Sequence, residues 1–137
     1  MHPYLTQAEL LKKSKDAGLV PMAYSPFGSL SYVELGDATT DESVLELQAV
    51  KDIAAKHSKT PGQIILRWGV QRGTTVIPKT SKKERLIENL SIFDFVLSEE
   101  EMATISGLNK NKRYCDASTW GTDYEAAIKP NFNPYID

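Results

Sequence analysis

Few stretches leave this chain less freedom than Thr74-Thr-Val-Ile-Pro-Lys-Thr-Ser81 and the residues after it, up to Asn89. The β-branched run from Thr74 to Ile77 favours an extended strand, and Pro78 stops it, because proline cannot donate to a ladder. Ser81 and Glu84 have the S-x-x-E spacing of a capping box, which predicts a helix starting at Lys82. A strand running straight into a capped helix turns backbone N–H groups and the positive end of a helix dipole toward whatever sits above the strand. Lys79 falls in the turn, Arg85 on the first helical turn, and Thr80 and Ser81 place hydroxyls beside them. That combination suits a phosphate. The same residues also make an ordinary capped helix with a solvated basic face.

The remaining elements alternate in the same way. Thr6-Gln-Ala-Glu9 is a second capping box and predicts a helix from Gln7 to about Ala17, with Leu10, Leu11 and Ala17 buried and Gly18 as its left-handed stop. Leu19 to Tyr24 reads as a short buried strand, although Pro21 removes one ladder donor. Leu30 to Glu42 is irregular. Glu42 to Lys56 carries Val44, Leu47, Val50, Ile53 and Ala54 at helical spacing. Thr60-Pro-Gly-Gln63 is a capping box with proline at the first helical position, so a helix is expected from Pro61 to about Gln71, with Ile64, Ile65, Trp68 and Val70 inside. Ser98-Glu-Glu-Glu101 opens a last helix, to about Leu108, with Met102, Ile105 and Leu108 as its apolar stripe. His2 and His57 read as structural, one in a turn and one where a cation suits a helix C-terminus. Residues 91–97 fit no element, and residues 117–137 form a polar tail that is either a lid or disordered.

At 137 residues the chain is at most one domain, and a quarter of its residues are charged, as in an ordinary folded protein. A formal charge of −2 gives no reason to expect nucleic acid or an anionic membrane as partner. No apolar run approaches the ~20 residues of a membrane span, and Met1-His-Pro-Tyr4 does not read as a signal peptide. The lone Cys115 fits a reducing, cytoplasmic setting. His2, His57 and Cys115 are too scattered for a metal centre, Cys115 has no base at a recognisable spacing, and no G-x-G-x-x-G follows a strand.

Several motifs, met in order, carry a resemblance. Ile77-Pro-Lys-Thr-Ser81, Arg85 and Glu88-Asn89 are similar to the adenosine-phosphate segment of the aldo-keto reductases, and Ala23-Tyr-Ser-Pro-Phe-Gly28 is similar to their nicotinamide-stacking segment. His2-Pro-Tyr-Leu5 resembles the segment after the sixth barrel strand. The resemblance covers the chain to about Asp116 and points to the fungal NAD(P)H-dependent xylose and aldose reductases. It implies an α/β fold, the C-terminal portion of a (β/α)₈ TIM barrel: the last two strands with their helices, two added helices and an irregular tail, residues 1–116 being barrel and 117–137 tail.

Carried over residue by residue, the resemblance gives Lys79, Thr80, Ser81 and Arg85 the 2′-phosphate of NADPH, and Glu88 and Asn89 the adenine. Tyr24 would stack on the nicotinamide, while Ser25, Phe27 and Ser29 would line the pyrophosphate. Ser31-Tyr-Val-Glu34 resembles a segment whose Glu meets the adenosine ribose in members that also accept NADH; Glu34 reads equally as an exposed loop residue. Trp120 would help shape the substrate pocket, but Cys115 stands where xylose-reductase-like members have Asn in R-F-N-D. The family's catalytic Tyr, Lys, Asp and His belong to the N-terminal half, so no catalytic residue is assigned here. The expectation is the cofactor-binding part of a reductase of aldehyde or aldose carbonyls, inactive alone and prone to self-association through exposed barrel edges. A non-catalytic NADP-binding module and an inert fragment are the other readings.

Overall fold

The computed structural model describes residues 1–33, 38–39 and 42–114. Helix α1 (Ala8–Asp16), strand β1 (Met22–Tyr24) and a helical turn α2 (Leu30–Val33) come first, then a 3₁₀ turn at Val44–Glu46. Helices α3 (Gln48–His57) and α4 (Pro61–Gln71), strand β2 (Thr75–Ile77), α5 (Lys83–Leu90) and α6 (Glu99–Ser106) follow. The two strands pair in parallel, Met22 opposite Thr75, Ala23 opposite Val76 and Tyr24 opposite Ile77. Parallel strands need a long crossover, and the segment containing α2, α3 and α4 supplies it. The register brings Tyr24 and Ile77 level, so the turns after both strands leave the sheet at one end.

Helix α4 is the centre of the packing. Its expected capping box is present: the Gln63 amide donates to Thr60 Oγ1 (3.3 Å) and the Thr60 amide donates to Gln63 Oε1 (3.0 Å). Residues from Gly62 to Leu66, with Trp68 and Gly69, are all buried, so the helix is covered on nearly every side. Around it lies a core of Val44, Val50, Ile53, Ile64, Ile65, Trp68, Leu97 and Ile105, closed by Tyr4 and Tyr114. Trp68 Nε1 donates to Ser106 Oγ (3.0 Å), which fixes α6 against α4. The Ser98–Glu101 box is also present, and Glu101 additionally meets His57 Nε2 at 2.9 Å, tying α6 to the end of α3.

Other expectations give way to tertiary partners. The Thr6–Glu9 box does not form: Gln7 is left-handed at φ 47°, the Thr6 amide donates to Asn109 Oδ1 (3.1 Å) and the Thr6 carbonyl accepts from Arg72 (2.7 Å). The Ser81–Glu84 box is absent too. The Lys82 amide is taken by Thr80 Oγ1 (3.1 Å), which moves the helix start to Lys83 and puts Ser81 out of capping position. The helix expected over Glu42 to Lys56 breaks at Leu47, which is extended. In one unbroken helix Val44 and Val50, six residues apart, would lie about 120° apart; the break lets both be fully buried. Residues Leu30–Val33, expected to be irregular, form one helical turn on the Ser29 carbonyl.

The strand expected from Leu19 shrinks to Met22–Tyr24, and only Ala23 of it is buried. Leu19, Val20 and Met22 are exposed, because β2 is the single neighbour of β1 among the described residues. In α1 only Leu11 is buried; Leu10 and Ala17 face outward. Val70 is half-buried, whereas Leu66, not expected inside, is fully buried. Leu86, Ile87 and Leu90 give α5 an exposed apolar face.

Helix α4 meets β2 through glycine. A Cβ at Gly69 would stand 2.8 Å from Val76 Cγ1. Gly69→Ala is therefore expected to lower the urea midpoint by the equivalent of ~1–3 kcal/mol through overpacking. Adding Val76→Ala relieves the clash, so the double variant should lose less than the sum of the singles; strictly additive losses would overturn this account.

Candidate functional site

The ends of β1 and β2 open into a cleft of about 800 Å³. Its lining comes from three directions. The turn after β1 contributes Tyr24, Ser25 and Phe27; the turn after β2 and helix α5 contribute Lys79, Thr80, Arg85, Glu88 and Asn89; the third group is Leu45, Glu46 and Lys51 with Thr60, Pro61 and Gly62. Eight residues singled out in the sequence thus share one cavity: Tyr24, Ser25, Phe27, Lys79, Thr80, Arg85, Glu88 and Asn89. Ser29 is fully buried behind the turn and Ser81 is exposed on the surface; neither lines the cleft. Glu34 and Trp120, and Cys115 with them, lie outside the described residues.

Local chemistry explains each wall. After β1 the backbone turns sharply, with Ser25 left-handed at φ 45° and Gly28 at φ 66°, and the Gly28 amide donating to the Ser25 carbonyl (2.9 Å). Ser25, a non-glycine residue in that region, carries strain that its surroundings must hold; its hydroxyl lies 3.2 Å from that of Tyr32. The turn leaves the Tyr24 side chain half exposed at the cleft. Across the cleft, α5 starts at Lys83 with no side-chain cap, so its first amides and its positive dipole end stand beside Lys79 and Arg85.

Glu88 is held before any ligand arrives. The Thr60 hydroxyl donates to its Oε1, and Gln63 Nε2 donates to the Glu88 carbonyl (3.2 Å) and to that of Ser91 (2.9 Å). Gly62 lies close beneath the same group: a Cβ there would make ordinary contacts with Glu88 Oε1 (3.5 Å) and the Phe27 ring (3.7 Å). Sequence reading found Thr60 and Gln63 as a helix cap and Glu88 as a separate site residue; their union needs the fold. Glu46 and Lys51, joined by a 2.6 Å ion pair, were not anticipated either. Among the described residues no group of His, Cys, Asp and Glu could hold a metal ion, and no helix is long and apolar enough to cross a membrane.

His2 sits behind the site as a turn residue, its backbone paired with Leu5, and 5 % exposed. Burial, helped by the adjacent chain-terminal amine, draws its pKa from 6.5 down to about 4. In the unfolded chain the imidazole takes up a proton that the folded chain refuses, so stability rises with pH in this interval. The His2 contribution to folding stability should therefore be intact above about 6.5, fall as the pH drops, and level off near 4. The loss should reach at most roughly 3 kcal/mol. His2→Asn, compared with the wild type by urea unfolding at neutral pH and just above pH 4, should flatten this slope; parallel curves would rule His2 out as its source.

Comparison with known proteins agrees with this geometry. The model of the aldo/keto reductase family matches residues 1–110. The NAD(P)H-dependent D-xylose reductase of Kluyveromyces lactis is 48% identical over 122 residues, covering 87% of this chain and 37% of that protein. The corresponding enzyme of Scheffersomyces stipitis is 42% identical over 121 residues, with 87% and 38% covered. Among solved structures, a Bombyx mori aldo-keto reductase in complex with NADP superposes with a TM-score of 0.77 at 36% identity, over 88% of this chain and 38% of the other. The chain belongs to the aldo/keto reductase family. Its parallel pair and surrounding helices are the C-terminal portion of that family's (β/α)₈ barrel, and it spans less than two fifths of the length of these relatives.

Proposed function

We propose that this segment forms the dinucleotide-holding part of an NAD(P)H-dependent reductase of aldehyde or aldose carbonyls. The observation that carries the reading is the convergence of Tyr24 with Lys79, Arg85, Glu88 and Asn89 on one cleft. A cleft of about 800 Å³ is within the usual range for cofactor sites. The relatives support it: they are NAD(P)H-dependent D-xylose reductases, and the superposed structure holds NADP.

A nicotinamide dinucleotide supplies hydride when bound. This chain's residues would hold it. Lys79 and Arg85, with the Thr80 hydroxyl and the amides at the start of α5, favour a phosphate at the adenosine end, which suits NADPH, with NADH as the weaker-held alternative. Ser81, exposed at the same turn, would join them once a phosphate is present. Glu88, fixed by Thr60, and Asn89 offer an acceptor and an amide to the adenine edge. Tyr24 would offer a flat apolar face to the nicotinamide, and Ser25 and Phe27, which line the same cleft, would meet the pyrophosphate. Glu34 would meet the ribose hydroxyls, and Trp120 the carbonyl substrate.

Lys79→Ala and Arg85→Ala should each weaken NADP⁺ binding about 10- to 100-fold, the weight of one charge-assisted hydrogen bond. NAD⁺, which lacks the 2′-phosphate, should be held nearly as before. Titration calorimetry with both dinucleotides checks this, and equal losses for the two would place the phosphate elsewhere. We expect the 137-residue chain alone to bind NADP⁺ without reducing D-xylose, since it has no assigned general acid and forgoes the ~10²–10⁴-fold that one supplies. Steady NADPH oxidation by the isolated chain on adding xylose would refute that; binding without turnover fits, and no binding at all would favour the inert-fragment reading.

A further inference from the structure

Behind the turn that carries Tyr24 and Ser25 lies a second, small cavity of about 30 Å³. His2, Ser25, Tyr32 and Tyr114 are among its walls. Two of them hold buried polar atoms with no hydrogen-bond partner of good geometry among the described residues, His2 Nδ1 and the Tyr114 hydroxyl; the equally buried Ser29 Oγ lacks one too, although it lies near enough to the Tyr114 hydroxyl to act on its proton as a weak partner. Such atoms are uncommon in folded proteins, and leaving one unpaired costs on the order of 1–3 kcal/mol. Here they cluster. The His2 and Tyr114 rings lie 5.3 Å apart, the Tyr32 and Tyr114 rings stack at 6.0 Å, and a Cβ at Gly28 would meet His2 Nδ1 at 3.1 Å and Tyr114 Cε2 at 3.2 Å.

The charge state of the cluster is settled by its surroundings. Burial keeps the His2 imidazole neutral, so one ring nitrogen is an acceptor. Burial, and then the Glu42 carboxylate, raises the Tyr114 phenol above its ordinary value, so it stays protonated and can donate; Lys112 and the Ser29 hydroxyl act weakly the other way. Ser25 and Tyr32 add a pair of hydroxyls to the wall. The space is large enough for one water molecule, which needs at least about 10–15 Å³ and two or more polar partners.

We propose that this cavity holds one ordered water molecule that accepts from the Tyr114 hydroxyl and donates to His2 Nδ1 or to a hydroxyl of the Ser25–Tyr32 pair. Through it, residues 110–114 fasten the strained turn that presents Tyr24. That segment is already fixed at its other end, where the Lys110 and Lys112 amides both donate to the Tyr4 carbonyl (3.1 and 2.9 Å). Tyr114 is then a positioning residue for the dinucleotide. This last step rests on the binding reading above, while the water itself does not.

A high-resolution crystal structure of the protein containing this segment, with Tyr114→Phe beside the wild type, decides the matter. A water in the cavity bonded to the Tyr114 hydroxyl and a second named group, and displaced in Tyr114→Phe, supports the proposal. A dry cavity, or hydroxyls that have closed directly on one another, overturns it. In solution, Tyr114→Phe should weaken NAD⁺ and NADP⁺ equally, by about two- to ten-fold for one lost hydrogen bond, because it acts at the end both dinucleotides share. A loss confined to NADP⁺, or no change in either, would overturn the positioning role. If the wild type bound neither dinucleotide, the site reading would fail while the crystallographic outcome still judged the water.

Discussion

The side-chain amide of Gln63 holds together what the rest of the molecule relies on. Its oxygen accepts from the Thr60 amide to start α4, and its nitrogen donates to the carbonyls of Glu88 and Ser91 at the end of α5. A single buried side chain thereby joins the most enclosed helix to one that has no buried residue of its own. Helix α5 has little apolar burial to hold it against the core. Its placement depends on Gln63, on the Thr60–Glu88 contact and on the connection that follows, where Gln71 bonds both backbone groups of Leu97 and Arg67 reaches the Ile92 carbonyl. Buried polar networks of this kind set geometry rather than add bulk stability.

The cleft follows from that geometry and from the strand register. Parallel pairing brings Tyr24 and Ile77 to one level, so that the turns following two residues 53 apart in sequence face each other. Neither the Ser25 turn nor the Lys79 turn could define a cavity alone. A further part of the lining comes from the break at Leu47, which turns the Val44–Glu46 segment so that Leu45 and Glu46 reach the cleft while Val44 fills the core. A packing solution inside therefore shapes the surface a ligand would meet.

What was legible in the sequence was local chemistry with no stronger competitor. The boxes at Thr60 and Ser98 form because their partners lie within the same turn and nothing else claims them. Those at Thr6 and Ser81 have the same spelling and do not form: Asn109 takes the Thr6 amide that its box would need, and after Ser81 the Thr80 hydroxyl takes the Lys82 amide and the helix starts at Lys83. The motif residues around Lys79 and Tyr24 could be read as two segments, yet their meeting, and the exclusion of Ser29 and Ser81 from the lining, depend on a register that no local pattern encodes. Residues 91–97 showed no periodicity because Ile92 and Leu97 are anchored by side chains of α4 rather than by an element of their own.

The fixed carboxylate of Glu88 has one further consequence. Its rotamer is already chosen, so, if Glu88 meets the adenine as proposed, it would present a rigid edge to an arriving ring. Lys79 and Arg85 are exposed, and each would have to surrender the freedom of a long side chain, at roughly 0.5–1.5 kcal/mol apiece. Recognition on this surface would thus be uneven in its thermodynamics. On the proposed reading the base would meet a preformed edge, and the phosphate two arms that must be ordered to hold it.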